Sequence, residues 1–381
     1  VINIEIFSDS VIFLGTTNGL NMASYNLEGY EFINDPNNNI LGGNPALVVQ
    51  DSIIAVSGVA AFSIAGGVEN GGTGILYSID SGESWNYILQ PIDSSSYLDS
   101  EYTDQYACSW GNYDDSSLFS NKENCDENCF DCSGAQRSCV MYDYISWGDQ
   151  DSILNFSVTT HIHNISYGLA VHGNYIYAAS WAGSLRRFNF TIEQPSWEVV
   201  PLPMDNQYYL NSNEIDVSSF QVNPIGNYIA GEDCGYEFDN HKVFSVHVVQ
   251  DTLWVGTAAG INKGIVSSDG LIDWSRLTSE NNGFYDDWII GFENQVLDDG
   301  LNRIWAITWD RRFDGSYLTY GGPPSYSDNG GYTWKIIDYL IDKKIITYNI
   351  STNENQCYVS TDQGLFLSNE STNMELWEQV I

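Results

Sequence analysis

The string FYDDWIIGF places Asp286 and Asp287 beside Trp288. Two carboxylates flanking a sugar bond, one of them kept protonated by its surroundings, are what glycoside hydrolysis needs, and an aromatic neighbour suits a sugar ring. A similar grouping, WGDQD, offers Asp149 and Asp151 next to Trp147. A second chemistry is written in CDENCFDC, where Cys125, Cys129 and Cys132 stand in C-x3-C-x2-C spacing, with Cys108, Cys139 and Cys234 elsewhere. Such thiols can pair as disulfides, hold Zn²⁺ as thiolates or remain free. The segment around them is rich in Asn, Asp and Ser and would lack a core without staples, which favours disulfides. Cys357, inside an apolar run, is expected to be the buried, unpaired seventh cysteine. A third chemistry is metal binding by His161 and His163 of TTHIHNI, two apart and so on one side of a strand. Structural or solvent-facing histidines are the competing reading. Calcium has no D-x-[DN]-x-[DN]-G loop, although clusters such as NYDDSS could chelate it with backbone carbonyls.

Composition limits which of these chemistries the chain can serve. Fifty Asp and Glu against thirteen Lys and Arg give a net charge of −37, which repels nucleic acid and anionic lipid heads. No stretch approaches the ~20 apolar residues of a membrane-spanning helix. Cysteine crowding together with acidity points outside the cytoplasm: extracellular, cell-surface or periplasmic. The opening at Val1, without a Met or a charged-then-apolar leader, fits a removed signal peptide or a longer precursor.

The elements that must position these residues are strands. SVIFLGTTNGLNMASYN returns as DTLWVGTAAGINKGIVSSD and as NQCYVSTDQGLFLSNES, each an apolar run, a Gly or Ser, a Thr, two turn residues, a Gly and another apolar run. Looser copies start at Asp51, Gly173 and Leu301. Another strand-like run precedes each hairpin and a short aromatic run follows it, so four strands recur six times. A four-stranded unit cannot bury both faces alone, and radial stacking of such units solves the problem. The expected fold is therefore all-β: a β-propeller of six four-stranded antiparallel blades, with seven as the alternative. A single domain over 1–381 is expected, with insertions at about 90–160, Cys-rich, and 201–241.

Between the third and fourth runs of the second unit stands SIDSGESW: Ser78, Asp80, Gly82, Ser84 and Trp85. The fifth unit has SDNGGYTW at the same place: Ser327, Asn329, Gly331, Thr333 and Trp334. Ser267, Asp269 and Trp274 form a worn copy. Asp or Asn can cap its own turn, Gly supplies a positive φ, Ser or Thr ties the returning strand, and Trp projects between units. These residues resemble the Asp-box of the bacterial neuraminidase repeat, S-x-D-x-G-x-[ST]-W. The LWVGTAAGI and IFLGTTNGL hairpins are similar to the propellers of two-component-regulator sensors. The resemblance implies a propeller with its boxes on the outer rim, away from any ligand. Sialidase activity would imply an Arg-Ile-Pro motif and an arginine triad, and the first two units contain no arginine.

The resulting expectation is a secreted or cell-surface propeller that binds a protein or glycan partner through loops on one face, without catalysis. The first alternative is a carbohydrate-active enzyme using Asp286 and Asp287 at the channel mouth. The second is a subunit of an extracellular assembly bridged by divalent cations, calcium being the cofactor the acid clusters could take.

Overall fold

In the computed structural model, the described residues are 3–8, 11–26, 29–34, 42–64, 67–91, 93, 106–108, 118–119, 121–130, 136, 139–157, 164–181, 183–224, 239–314, 317–369 and 374–380. They fall into two compact units, Val1–Asn206 with Leu210–Lys242, and Gln207–Tyr209 with Val243–Ile381.

The first unit opens with two four-stranded meanders. One is β1 (Asn3–Ser8), β2 (Val11–Thr16), β3 (Gly19–Asn26) and β4 (Gly29–Asn34); the other is β5 (Leu47–Gln50), β6 (Ile53–Ile64), β7 (Gly67–Ser78) and β8 (Asn86–Ile88). The cysteine-bearing segment follows as β9 (Tyr106–Cys108), β10 (Leu118–Phe119), helix α1 (Lys122–Asn128), β11 (Cys139–Trp147) and β12 (Gln150–Phe156). A third meander comprises β13 (Ser166–His172), β14 (Tyr175–Ser180), β15 (Ser184–Asn189) and β16 (Glu198–Val199). After β17 (Tyr209–Leu210) comes β18 (Gln221–Val222), which adds in parallel to β12 and completes a sheet ordered β10-β9-β11-β12-β18.

The second unit contains three sheets. The first is β19 (Val243–Val249), β20 (Thr252–Thr257), β21 (Gly260–Val266) and β22 (Ile272–Leu277), with β17 on its outer edge. Helix α2 (Ser279–Asn282) leads to β23 (Trp288–Val296), β24 (Asn302–Asp314), β25 (Tyr317–Gly321), β26 (Pro324–Ser327) and β27 (Lys335–Ile336). Helix α3 (Asp338–Ile341) leads to β28 (Thr347–Thr352), β29 (Gln356–Thr361), β30 (Gly364–Asn369) and β31 (Trp377–Gln379).

The repeated hairpin owes its shape to one threonine. Thr16 Oγ1 accepts the Asn18 N–H at 3.1 Å and donates to the Gly19 carbonyl at 2.7 Å. Thr257 does the same with Ala259 and Gly260 (3.1 and 3.0 Å), and Thr361 with Gln363 and Gly364 (3.0 and 2.9 Å). The three glycines have φ of 117°, 112° and 118°, a region L side chains rarely enter. A Cβ on Gly260 would also lie 2.2 Å from the Leu277 carbonyl oxygen.

Strand alternation makes the β5–β8 and β23–β27 sheets apolar on both faces. From β6 and β7, Ile54, Val56 and Leu76 pack with Phe13 and Leu20 of the first meander. Their neighbours Ala55, Ile75 and Tyr77 pack on the opposite side with Val171, Ile176 and Phe188 of the third meander. The β5–β8 sheet therefore lies against β13–β16, and the cysteine-bearing sheet stands outside that stack. In the second unit Ile304 and Ala306 join Trp254 and Ile261 of the preceding sheet, while Trp305 and Ile307 join Val359 and Phe366 of the following one.

The two SIDSGESW-type turns share their hydrogen bonds from the backbone. Gly82 N–H donates to Ser78 Oγ at 2.8 Å and Gly331 N–H to Ser327 Oγ at 2.9 Å. Asp80 Oδ1 accepts the Ser84 N–H at 2.8 Å, as Asn329 Oδ1 accepts the Thr333 N–H at 3.0 Å. The outer contact reverses polarity: Ser84 Oγ donates to Asp80 Oδ2 at 2.5 Å, whereas Thr333 Oγ1 accepts from Asn329 Nδ2 at 2.8 Å. A rotatable hydroxyl serves either partner, so Asp and Asn build one turn. Trp85 packs on the Phe13–Leu20 cluster and Trp334 on Trp254 and Phe284, so each wedges between two sheets of its own unit.

Gly82 and Gly331 share φ of 89°, but a Cβ at Gly331 would meet the Trp254 ring at 2.8 Å, while at Gly82 the nearest atom is 3.6 Å away. Gly82→Ala should cost about 1–3 kcal/mol of backbone strain. Gly331→Ala should cost visibly more in urea unfolding of the same chain, because the indole must shift as well.

Candidate functional site

The sequence candidates divide on inspection. Asp287 is a structural brace: its Oδ1 accepts the Ser279 N–H at 2.6 Å and its carbonyl accepts the Gly260 N–H at 2.8 Å, tying α2 and the β20–β21 turn to β23. Asp286 is the chemically altered one. Burial, with Asp310 and Asp287 nearby, pushes its carboxyl up to about 6, against a 3.2 Å hydrogen bond from the Trp288 N–H. Its surroundings include Trp288, whose ring centroid lies 5.4 Å from that of Phe244. Asp151 accepts from Ser146 Oγ at 2.6 Å in the exposed β11–β12 turn.

Cys125 and Cys139 form a disulfide that fastens α1 to β11. Cys129 is also disulfide-bonded, Cys108 lies opposite Cys139 in the β9–β11 ladder, and Cys357 is free and buried. The helix is capped by Asn121, whose side chain accepts the Asn124 N–H at 2.8 Å, and Cys125 and Cys129 pack with Tyr106 in a small core of their own. Cys132, Cys234, His161 and His163 lie outside the described residues. Burial lowers the proton affinity of His247, against the contact of its Nε2 with Asn294 Oδ1 at 3.3 Å. Among the described residues, no three His, Cys, Asp or Glu side chains are grouped to hold a metal.

A different constellation lies in the first unit, in a crevice of about 410 Å³ between β16 and the cysteine-bearing sheet. Its floor is the ion pair of Arg186 and Asp93, whose side chains are only 6% and 4% exposed. Arg186 Nε also donates to the Gly183 carbonyl at 2.9 Å. Beside it Arg187 donates from Nε to Glu198 Oε2 at 2.9 Å, and its guanidinium lies 4.5 Å from the Trp147 ring and 4.1 Å from Tyr175. That stack clamps the cysteine-bearing sheet onto β13–β16 by cation–π contact and ion pairing together.

At the mouth stands Asp143, aimed by a chain of amides. Asn155 Nδ2 donates to Asp143 Oδ1 at 2.7 Å, and Asn223 Nδ2 donates to Asn155 Oδ1 at 3.2 Å; both asparagines are buried. Partial burial raises the proton affinity of Asp143; Asp93 adds to this, while Asn155 and Arg186 oppose it. Asp93, Asp143 and Glu198 come from three separate segments, and no local motif marks them. The sequence does offer one signal: SLRRFN sets adjacent arginines in a strand-like run, and arginines buried in a strand require partners.

A larger cleft in the second unit, about 980 Å³, is lined by Arg303, Tyr326, Asp328 and Lys335. Its two basic groups share one carboxylate: Arg303 Nε bonds Asp328 Oδ1 at 2.6 Å and its guanidinium lies 4.3 Å over Tyr326, while Lys335 reaches Asp328 at 3.3 Å.

No protein-family model matches the chain, and no curated protein matches it. Among solved structures it is similar to YCF48 bound to D1 peptide, at 12% identity and TM-score 0.37 over 96% of this chain and 90% of that one. It is also similar to the β-propeller domain of Cps50 (Swd1) from Myceliophteria thermophila, at 10% identity and TM-score 0.43 over 97% and 86%. The extracellular domain of the hybrid two-component system BT3049 from B. thetaiotaomicron matches at 12% identity and TM-score 0.35, over 99% of this chain and 50% of that one. Likenesses this distant transfer no residue roles.

The raised carboxyl of Asp286 has a consequence for stability. Its proton is held more tightly folded than unfolded, where about 3.9 is usual, so stability falls as pH rises through this window to about 6. Asp286→Asn removes that loss. The variant should match the parent near pH 4 and exceed it at pH 8 by about 1 kcal/mol, once the carboxyl's access to water is allowed for, in paired urea titrations.

Proposed function

We propose that the chain is a secreted or cell-surface β-propeller of six blades, carrying the cysteine-bearing sheet on its third blade, and that it acts as a non-catalytic binding module. One observation carries this reading: the parts that exceed the repeat leave their own sheets at a common end. In an up-and-down meander the second-to-third turn, the start of the first strand and the exit of the fourth share one end. At that end of the second sheet, β6 and β7 continue past their neighbours as a long hairpin, and the chain departs into the cysteine-bearing segment. At the corresponding end of the β23–β27 sheet, β24 and β25 project, and Asp286 and Asp310 sit there too. The Asp93–Arg186 crevice opens next to the β14–β15 turn, again at that end. The SIDSGESW-type turns occupy the other end, where the repeat is kept short. Recognition concentrates where a scaffold varies and not where it repeats. The disulfide supports an oxidising compartment.

Replacing residues 60–70 by a short turn, in the otherwise intact chain, tests the reading on arrays of glycans and peptides. Ligands held by the parent should be lost, while Ser84→Ala, at the opposite end, keeps them. Equal binding after trimming, or turnover of an arrayed polysaccharide by the parent, would overturn it.

A further inference from the structure

We propose that the crevice beside β16 is a socket for one basic side chain, lysine or arginine, presented by a polypeptide partner. This rests on the binding-module reading and names the chemistry of one of its contacts.

The charges decide the sign of the ligand. Asp93 is committed to Arg186 and Glu198 to Arg187, so these four groups cancel in pairs. Asp143 is the remaining charge on the lining, and no cation is bonded to it among the described residues; its aimed contact is the neutral Asn155 amide. A carboxylate braced by two buried asparagines holds one direction, which lowers the ordering cost of binding to it. The acidity of the whole chain adds long-range attraction for a basic partner and repels an anionic one.

The walls decide the ligand's shape. Trp147 already carries the Arg187 guanidinium, and Trp197 donates its indole N–H to the Leu89 carbonyl at 2.7 Å while meeting Phe188 edge-on at 4.9 Å. Neither ring is set as an open platform for a sugar. Two of the three carboxylates are occupied by guanidinium groups, which disfavours a divalent ion. Ile145 and Val199 remain as apolar wall beneath Asp143. A long aliphatic stem ending in a cation matches that order of surfaces, because it buries its methylenes and keeps the charge at the mouth.

The pH dependence follows from the groups facing Asp143: Asp93 and Arg186 on the floor, with Asn155 beside it. Because burial raises its carboxyl from the ordinary carboxylate value, it ionises later than a solvated one. Affinity for a cation should therefore climb with pH as this carboxyl ionises and then level off.

The experiment is a titration of the full chain, followed by NMR or calorimetry, with the capped tripeptides Gly-Lys-Gly and Gly-Arg-Gly. Gly-norleucine-Gly serves as the uncharged control. Both basic peptides should bind, with affinity falling about tenfold for norleucine and for Asp143→Asn, one charge-assisted contact being lost in each case. Ser146→Trp, which fills the crevice and leaves Asp143 in place, should lose binding as well; an unchanged Tm shows that either variant is folded. Equal binding of the norleucine peptide, or undiminished binding by Asp143→Asn, overturns the socket. If the peptides fail while the hairpin-dependent array ligands are retained, the socket is wrong and the module reading stands. If both are absent, the module reading fails too.

Discussion

The packing of each unit depends on a sheet that is apolar on both faces. In β6 the even-numbered Ile54 and Val56 belong to one hydrophobic cluster and the odd-numbered Ala55 to the next; in β24, Ile304 and Ala306 belong to one and Trp305 and Ile307 to another. A strand written this way cannot leave either side in water, so each of these two sheets needs a neighbour on both sides. Large residues fill the space between neighbouring sheets, among them Trp85 and Trp334 just before the last strands of their sheets. Trp334 fills the space over Trp254 and Phe284, and its indole N–H is satisfied by the Gly331 carbonyl of its own turn at 3.1 Å. The turn is short because it must deliver that ring and no more.

This division of labour explains what could be read from residues alone. The Thr-x-x-Gly hairpins and the SIDSGESW-type turns were legible because their determinants lie within a few positions: one hydroxyl bridging two backbone groups, and one glycine at a φ others avoid. The same locality made Asp286 visible as a carboxyl beside an aromatic. It hid the difference between Asp286 and Asp287, since only packing shows that one braces a helix while the other is left desolvated. The sheet from β9 to β12 lacks the Thr-x-x-Gly turn, and its short β9 and β10 carry no alternation of their own, so the residues alone leave it either a loop insertion or a seventh blade that has lost the pattern. The crevice was illegible for a plainer reason. Asp93 and Arg186 are 93 positions apart and Asn155 and Asn223 are 68 apart, so no window of sequence contains either pair.

The distribution of positive charge links the fold to its surface. With thirteen basic residues against fifty acidic ones, an economical chain would spend them outside, where they relieve repulsion. Instead Arg186, Arg187 and Arg303 are nearly wholly buried, each bonded to a carboxylate and two of them stacked on aromatic rings within 4.5 Å. Guanidinium suits this use because it is planar, weakly hydrated and rich in donors. The arginines thus act as rivets between elements: Arg187 joins the cysteine-bearing sheet to β14 and β15, and Arg303 joins β24 to the turn after β26.

Moving cations inward has an effect at the surface that no single residue shows. The three pairs cancel and leave the net charge of −37 to the remaining groups, so the protein's field favours partners that bring positive charge with them. A basic residue arriving from outside would do at the mouth of the crevice what Arg186 and Arg187 already do on its floor: neutralise one carboxylate while laying its stem on apolar wall. In such a molecule the interior rivets and the outward-facing carboxylate are two uses of one rule. A carboxyl drawn partly out of water gains from a cation beside it, and on the lining of this crevice the proposed partner would supply one.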